Sequence, residues 1–160
     1  MIKEKVSAYI ELTKPRIIML VLVTAYLGYY LGLRSQNSHM HTLESWLVLF
    51  YLCIGTWATS SSAAVLNQVI EHKQDAEMSR TKHRPLVTGS IDVLSALIFG
   101  LLIGIFGFIF LYITINSITA WISAVTIFLY IFIYTPSKRI STWNTVIGSI
   151  PGALPPVGGW

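Results

Sequence analysis

The chain has 160 residues, 54% of them hydrophobic and only 11% charged, and its mean hydropathy is +0.64. Soluble globular domains are not built this way, so the composition argues against a soluble enzyme and for an all-α, polytopic membrane bundle. The net charge of +4 comes with no aromatic–basic surface and so argues for no nucleic-acid partner.

In chain order, residues 6–14 (VSAYIELTK) have amphipathic spacing and end at Pro15, a residue suited to the first turn of a helix. They predict a short interfacial helix feeding the first membrane span. Four apolar stretches, about 17–33, 46–70, 93–115 and 118–134, are each long enough for a bilayer core that about 17 to 25 residues cross. The first is too long for a signal peptide and has no small-residue cleavage site behind it. Within the second, Thr59 to Ala64 are small or hydroxylated, which favours close helix packing over substrate contact. Gly28 and Gly32, and Gly100 and Gly104 with Gly107 a turn on, are packing signals of the same kind. Ser90 is the expected N-cap of the third span, with Asp92 favourable near its positive end. A fifth stretch, about 146–160, carries Pro151, Pro155, Pro156 and four glycines, and reads as the broken start of a fifth helix. Cys53 is alone in mid-span, without a disulfide partner or a CxxC motif, and reads as packing.

Charge orients these spans. Lys3, Lys5, Lys14 and Arg16 precede the first, Lys73, Arg80, Lys82 and Arg84 lie between the second and third, and Lys138 and Arg139 follow the fourth. Ten of the eleven Lys and Arg residues thus share one side, Arg34 being the exception. The positive-inside rule assigns that side, with the N-terminus and the 71–92 loop, to the cytoplasm.

That loop carries the chemistry. Asn67, Glu71 and Asp75 recur every four residues, and each step turns a helix by only about 40°, so the three share one face. Arg80, Lys82 and Arg84 follow, and Lys138 and Arg139 leave the membrane at the same depth. Magnesium is commonly bound by one or two carboxylates plus the substrate's phosphates, so Glu71 and Asp75 as metal ligands beside these cations suit a Mg²⁺–diphosphate site. The competing reading is a solvated loop whose basic residues only anchor topology. Against it, carboxylates in the last turns of a helix are opposed by the helix dipole unless a cation joins them. His72 and His83 lack a partner histidine four residues away and read as solvated, and the residues do not locate a haem site.

These motifs resemble those of the UbiA-type intramembrane aromatic prenyltransferases. The Asn-x3-Asp-x3-Asp element of that superfamily is matched by Asn67, Glu71 and Asp75, with Glu71 reaching one methylene further than the usual aspartate. The haem-farnesylating branch is further matched by Arg80-Thr81-Lys82-His83-Arg84-Pro85-Leu86, by Leu12-Thr13-Lys14-Pro15-Arg16, and by the run from Tyr134 to Arg139 with Pro151 to Pro156. The resemblance implies a farnesyltransferase in the bacterial inner membrane, moving the farnesyl group of farnesyl diphosphate onto a vinyl group of haem B to give haem O. It implies catalytic roles for Asn67, Glu71 and Asp75, Mg²⁺ on Glu71 and Asp75, and diphosphate on Arg80, Lys82, Arg84, Lys138 and Arg139. It also implies that this chain is the N-terminal half of a protein about twice its length, expected to lack a second aspartate-rich loop and to pair with itself or with the other half. Transfer to a quinone precursor, a non-catalytic scaffold, and a small transporter or channel subunit are the alternatives. The last is disfavoured because the apolar interiors of the spans hold no charge.

Overall fold

The computed structural model describes residues 2–38, 40–140 and 143–160, apart from the side chains of Ile2, Arg139 and Ile140. The order is α1 (Ile2–Leu12), α2 (Pro15–Ser35), α3 (Leu43–Glu77), α4 (Val93–Thr114), α5 (Ser117–Phe128), a π-helical turn (Leu129–Tyr134), α6 (Thr135–Ile140) and α7 (Asn144–Gly159). There is no strand among the described residues. Among the described residues four stretches are long and apolar enough to cross a membrane: Pro15–Ser35, Leu43–Glu77, Val93–Thr114 and Ser117–Lys138. The architecture is an all-α membrane bundle.

Helix ends follow local chemistry. Pro15 opens α2, where its missing N–H is no loss. The Thr42 hydroxyl accepts from the Ser45 amide at the start of α3, and the Asn116 carboxamide accepts from Thr119 at the start of α5. The cap of α4 differs from the sequence expectation. Asp92 is the N-cap, accepting from the amides of Leu94 and Ser95, whereas the Ser90 hydroxyl pairs with that of Thr88. Gly89, at φ +74, turns the chain in the left-handed region and delays the helix start until Val93.

Helix α3 runs the length of the bundle. Its 35 residues span about 52 Å, more than the roughly 30 Å apolar core, so its polar C-terminal turns reach past the hydrocarbon. It packs along α4, where three glycines admit it. A Cβ at Gly104 would stand 2.5 Å from the Ser62 hydroxyl, and one at Gly107 would stand 2.7 Å from a Thr59 methyl. The Ser62 hydroxyl also donates to the Gly100 carbonyl at 2.7 Å across this interface. The outer side of α4 (Leu102, Ile105 and Ile113 among others) is exposed and apolar, as a lipid-facing surface requires.

The 144–159 stretch is one helix, not the broken start that its prolines suggest. Backbone groups in hydrocarbon must be satisfied internally, which favours continuing the helix through Pro151, Pro155 and Pro156. Helix α2 lies directly against it: a Cβ at Gly28 would meet the Pro156 carbonyl oxygen at 2.0 Å. The Thr119 hydroxyl of α5 donates to the Gly158 carbonyl at 3.1 Å from the other side.

Two apolar clusters pin the bundle. Ala8, Leu12, Val65, Leu86, Ile91 and Ala96 bind α1 and the 78–92 loop to α3 and α4 at one end. Leu52, Leu111 and Ala120 gather α3, α4 and α5 nearer the other. Cys53 is free and half-buried.

Candidate functional site

The site lies at the end of the bundle where the C-terminal turns of α3 meet the α1–α2 junction, the 78–92 loop and α6. The junction is tight because Lys14 adopts a left-handed backbone (φ 52, ψ 60) between α1 and Pro15. Such a conformation costs a non-glycine residue about 1 kcal/mol or more and persists only where the surroundings hold it. Here the Gln68 carboxamide, itself buried, donates to the Leu12 carbonyl at 2.7 Å, and the amides of Ile17 and Ile18 donate to the Lys14 carbonyl. Lys14 is thereby aimed along α3, and its Nζ donates to Asn67 Oδ1 at 3.5 Å.

Asn67, Glu71 and Asp75 all lie on α3, as their spacing predicts, and each meets a cation. Asn67 is 1% exposed and Asp75 5% exposed, so both are inside the molecule. The Arg84 guanidinium donates to Asp75 Oδ2. Lys138 Nζ donates to Glu71 Oε1 at 3.1 Å and lies 3.3 Å from Oε2, while standing 4.7 Å from the centre of the Tyr134 ring. Three cations (Lys14, Arg84 and Lys138) therefore surround two carboxylates, leaving one positive charge in excess. Burial pushes the Lys14 ammonium down to about 8; Arg84 and Lys138 push the same way, and Glu71 and Asp75 oppose them.

The structure divides the residues of the 80–86 run. Thr81 is buried, and its hydroxyl donates to the Asp75 carbonyl at 2.9 Å, tying the loop to the end of α3. Thr81, Arg84, Pro85 and Leu86 turn inward, whereas Arg80, Lys82 and His83 are exposed. Arg84 and Lys138 are thus brought to the carboxylates, and Arg80 and Lys82 stand at the surface around them. The side chain of Arg139 lies outside the described residues. His72 is half-buried, with Nδ1 against the Val69 carbonyl at 2.8 Å.

Two residues of this constellation were not singled out from the sequence. In the sequence Lys14 stands only as a topology charge and within the Leu12 to Arg16 match, and the left-handed turn that aims it is set by its tertiary partners. Thr135, fully buried, accepts from Asn67 Nδ2 at 2.9 Å and donates to the Tyr130 carbonyl at 2.8 Å. The sequence marks it only as one member of the Tyr134 to Arg139 run, and its partner lies 68 residues away.

Below the charged groups opens a largely apolar cavity of about 270 Å³. Lys14, Tyr130 and Tyr134 line its charged end, Ile18, Ala63 and Ile122 its walls, and Thr119 and Gly158 its far end. From Thr119 to Tyr134 this wall extends roughly 20 Å by helical rise. Thr59, Ser60, Ala63 and Ala64 face it, so part of the small-residue patch on α3 lines a cavity, while Ser61 and Ser62 are buried in packing.

A hard-oxygen set with one or two carboxylates fits Mg²⁺ when phosphates complete the shell. Among the described residues no three Asp, Glu, His or Cys side chains cluster.

Comparison with known proteins gives the same direction. The chain is 43% identical over 154 residues to the protoheme IX farnesyltransferase of Solibacter usitatus, covering 95% of this chain and 53% of that protein. With the Opitutus terrae protein of that name the identity is 40% over 156 residues, covering 98% and 50%. The mitochondrial protoheme IX farnesyltransferase of Emericella nidulans is 40% identical over 167 residues, covering 99% of this chain and 33% of that protein. The chain thus spans about half the length of the bacterial relatives it matches. No solved structure matches it. The profile of the UbiA prenyltransferase family covers residues 17–160, from the first turn of α2 to the last residue, and the chain belongs to that family.

Proposed function

We propose that the full-length protein transfers the farnesyl group of farnesyl diphosphate to a vinyl group of haem B, giving haem O. The observation that carries this reading is the pairing of Arg84 with Asp75 and of Lys138 with Glu71 beside Lys14, which joins Asn67 and lines the charged end of an apolar cavity. A molecule with a diphosphate head and a hydrocarbon tail is complementary to both parts at once. The relatives' printed name, protoheme IX farnesyltransferase, supports haem as acceptor over a quinone precursor.

In this reading Glu71 and Asp75 hold Mg²⁺ with Asn67 orienting its shell, and the ion would neutralise the departing diphosphate. Arg84, Lys138 and Lys14 bind the diphosphate oxygens, with Arg80 and Lys82 drawing the anion in from the rim. As the C–O bond of farnesyl diphosphate breaks, both bonding electrons leave with the diphosphate, and these cations stabilise the developing charge. The allylic cation left behind lies beside the rings of Tyr130 and Tyr134, whose faces favour positive charge. The apolar walls keep water from it until the vinyl carbon has formed the new C–C bond. Hydroxide from one water then completes the hydroxyethyl group, and its proton goes to solvent. By the positive-inside rule the site opens to the cytoplasm of a bacterial inner membrane.

The test is product formation. Membranes carrying the full-length protein receive haem B, farnesyl diphosphate and Mg²⁺, and products are read by mass, with Asp75→Asn alongside. Farnesylated, hydrated haem that vanishes in Asp75→Asn supports the assignment. Prenylation of an aromatic quinone precursor with haem untouched would move the protein to the other branch, and no transfer to either would overturn an enzymatic role.

A further inference from the structure

We propose that Thr135 is a positioning residue for this site: it determines which end of the Asn67 carboxamide faces the carboxylates and the incoming metal–diphosphate. The inference rests on the reading of that site given above. It begins with a backbone irregularity. At the end of α5 the helix widens into a π-helical turn, Leu129–Tyr134, and the Tyr130 carbonyl receives two donors from Thr135: the backbone N–H, and the side-chain hydroxyl at 2.8 Å. Such turns are rare, and they frequently mark functional positions.

A threonine hydroxyl has one proton. With that proton given to the Tyr130 carbonyl, Thr135 Oγ1 can only accept from its other neighbour. Asn67 Nδ2 stands 2.9 Å away and supplies the donor. On the opposite side of the carboxamide is the Lys14 ammonium, which can only donate, 3.5 Å from Asn67 Oδ1. The two neighbours thus impose the same orientation, nitrogen toward α6 and oxygen toward the charged cluster. Asn67 is 1% exposed and Thr135 fully buried, so no bulk water competes for either group.

The consequence is chemical. A hard cation takes oxygen ligands, and the amide nitrogen of a carboxamide offers no lone pair to it. A flipped Asn67 would present N–H groups where the metal shell needs an acceptor. Lys14 alone is a weak guarantee, because an arriving diphosphate would draw its ammonium away from Asn67. Thr135 keeps the orientation when Lys14 has moved. Of the two hydrogen bonds that the described residues make to the Asn67 carboxamide, it is the one that an anionic ligand would leave in place.

Binding of inorganic pyrophosphate with Mg²⁺ to the purified full-length protein, followed by calorimetry, tests this without turnover. Thr135→Val keeps the volume but removes the acceptor, and should weaken binding about 10- to 100-fold, the usual range for groups that orient metal ligands. Thr135→Ser, which keeps the hydroxyl, should bind within about twofold of wild type, as a merely volume-filling role would not predict. In an Asn67→Ala background, Thr135→Val should cause no further loss, because the residue acts through Asn67. Equal binding by wild type and Thr135→Val, a serine variant as weak as valine, or losses that multiply in the double variant would each overturn the proposal. Thr135→Ala, measured with the same serine rescue, replaces the valine variant if that one does not fold. A wild type that binds no pyrophosphate would instead overturn the diphosphate reading, and this inference with it.

Discussion

Lys138 closes a salt bridge onto Glu71 across 67 residues of sequence, with Nζ 3.1 Å from one carboxylate oxygen and 3.3 Å from the other. Arg84, nine residues along the chain, pairs with Asp75. Without ligand, each proposed metal ligand is therefore neutralised by a proposed diphosphate ligand.

The Lys138–Glu71 pair should matter to binding as well as to folding. Lys138 keeps 28% of its side-chain exposure and Glu71 14%, so solvent screens the pair only in part, and leaving Glu71 unpaired should cost about 1–3 kcal/mol. Lys138→Ala should lower the unfolding temperature of the purified protein and weaken pyrophosphate binding about tenfold or more. A large stability loss with unchanged binding would show that the lysine is a structural counter-ion.

Carboxylate chemistry on α3 can be separated by length. Asp75→Asn retains an acceptor for Arg84 but loses the charge a divalent cation needs, so Mg²⁺-dependent turnover of the full-length enzyme should be abolished with membrane insertion intact. Glu71→Asp shortens the side chain by one methylene and should be tolerated, because the carboxylate and its charge persist. Both outcomes are read from turnover across a Mg²⁺ titration, and a dead Glu71→Asp would mean that the pocket is fitted to the longer side chain.

Lys14 should make anion binding proton-coupled. Its pKa is pushed down to about 8 by burial first, then by Arg84 and Lys138 against the opposing Glu71 and Asp75. Because the unfolded chain titrates near 10.5, it binds more protons than the folded one between about 8 and 10.5, and this group makes stability rise with pH through that window. Below about 8 the buried charge is a fixed burden on the fold. A bound diphosphate raises the lysine's pKa again, so binding near about pH 8.5 should take up protons. Calorimetry in two buffers of different ionisation enthalpy measures the uptake, and Lys14→Arg, always charged, should remove Lys14's part of it.

Packing of α7 on α2 rests on the absence of a methyl group. A Cβ at Gly28 would stand 2.0 Å from the Pro156 oxygen and within 2.9 Å of two more Pro156 backbone atoms, whereas one at Gly152 meets nothing within 4 Å. Gly28→Ala should destabilise the protein by about 1–3 kcal/mol, as overpacking does, and Gly152→Ala should be neutral or slightly stabilising. Equal unfolding temperatures for the two variants would mean that α7 docks more loosely than this.

The spans and the carboxylate face were legible in the sequence because they depend on local periodicity and hydropathy. Asn67, Glu71 and Asp75 share a face by helix geometry alone, whatever else the chain does. The cap at Asp92 was misjudged for Ser90 because the left-handed Gly89 shifts the helix start by a few residues. The continuity of α7 was missed because proline weakens a helix in water, while in hydrocarbon the unsatisfied alternative is worse.

By itself, then, the sequence determined an all-α membrane bundle and one face of acidic and amide side chains beside a basic loop. Which cations reach that face was decided only by tertiary structure. Arg80, Lys82 and Arg84 alternate along five residues of chain, yet the buried Thr81 and Leu86 turn Arg84 inward and leave the other two exposed. Lys14 at the α1–α2 junction and Lys138 and Thr135 on α6 lie 53, 67 and 68 residues from their partners. Contacts at such separations depend on how helices seat against one another, through glycine grooves and a single π-helical turn, and no local pattern of residues encodes that seating.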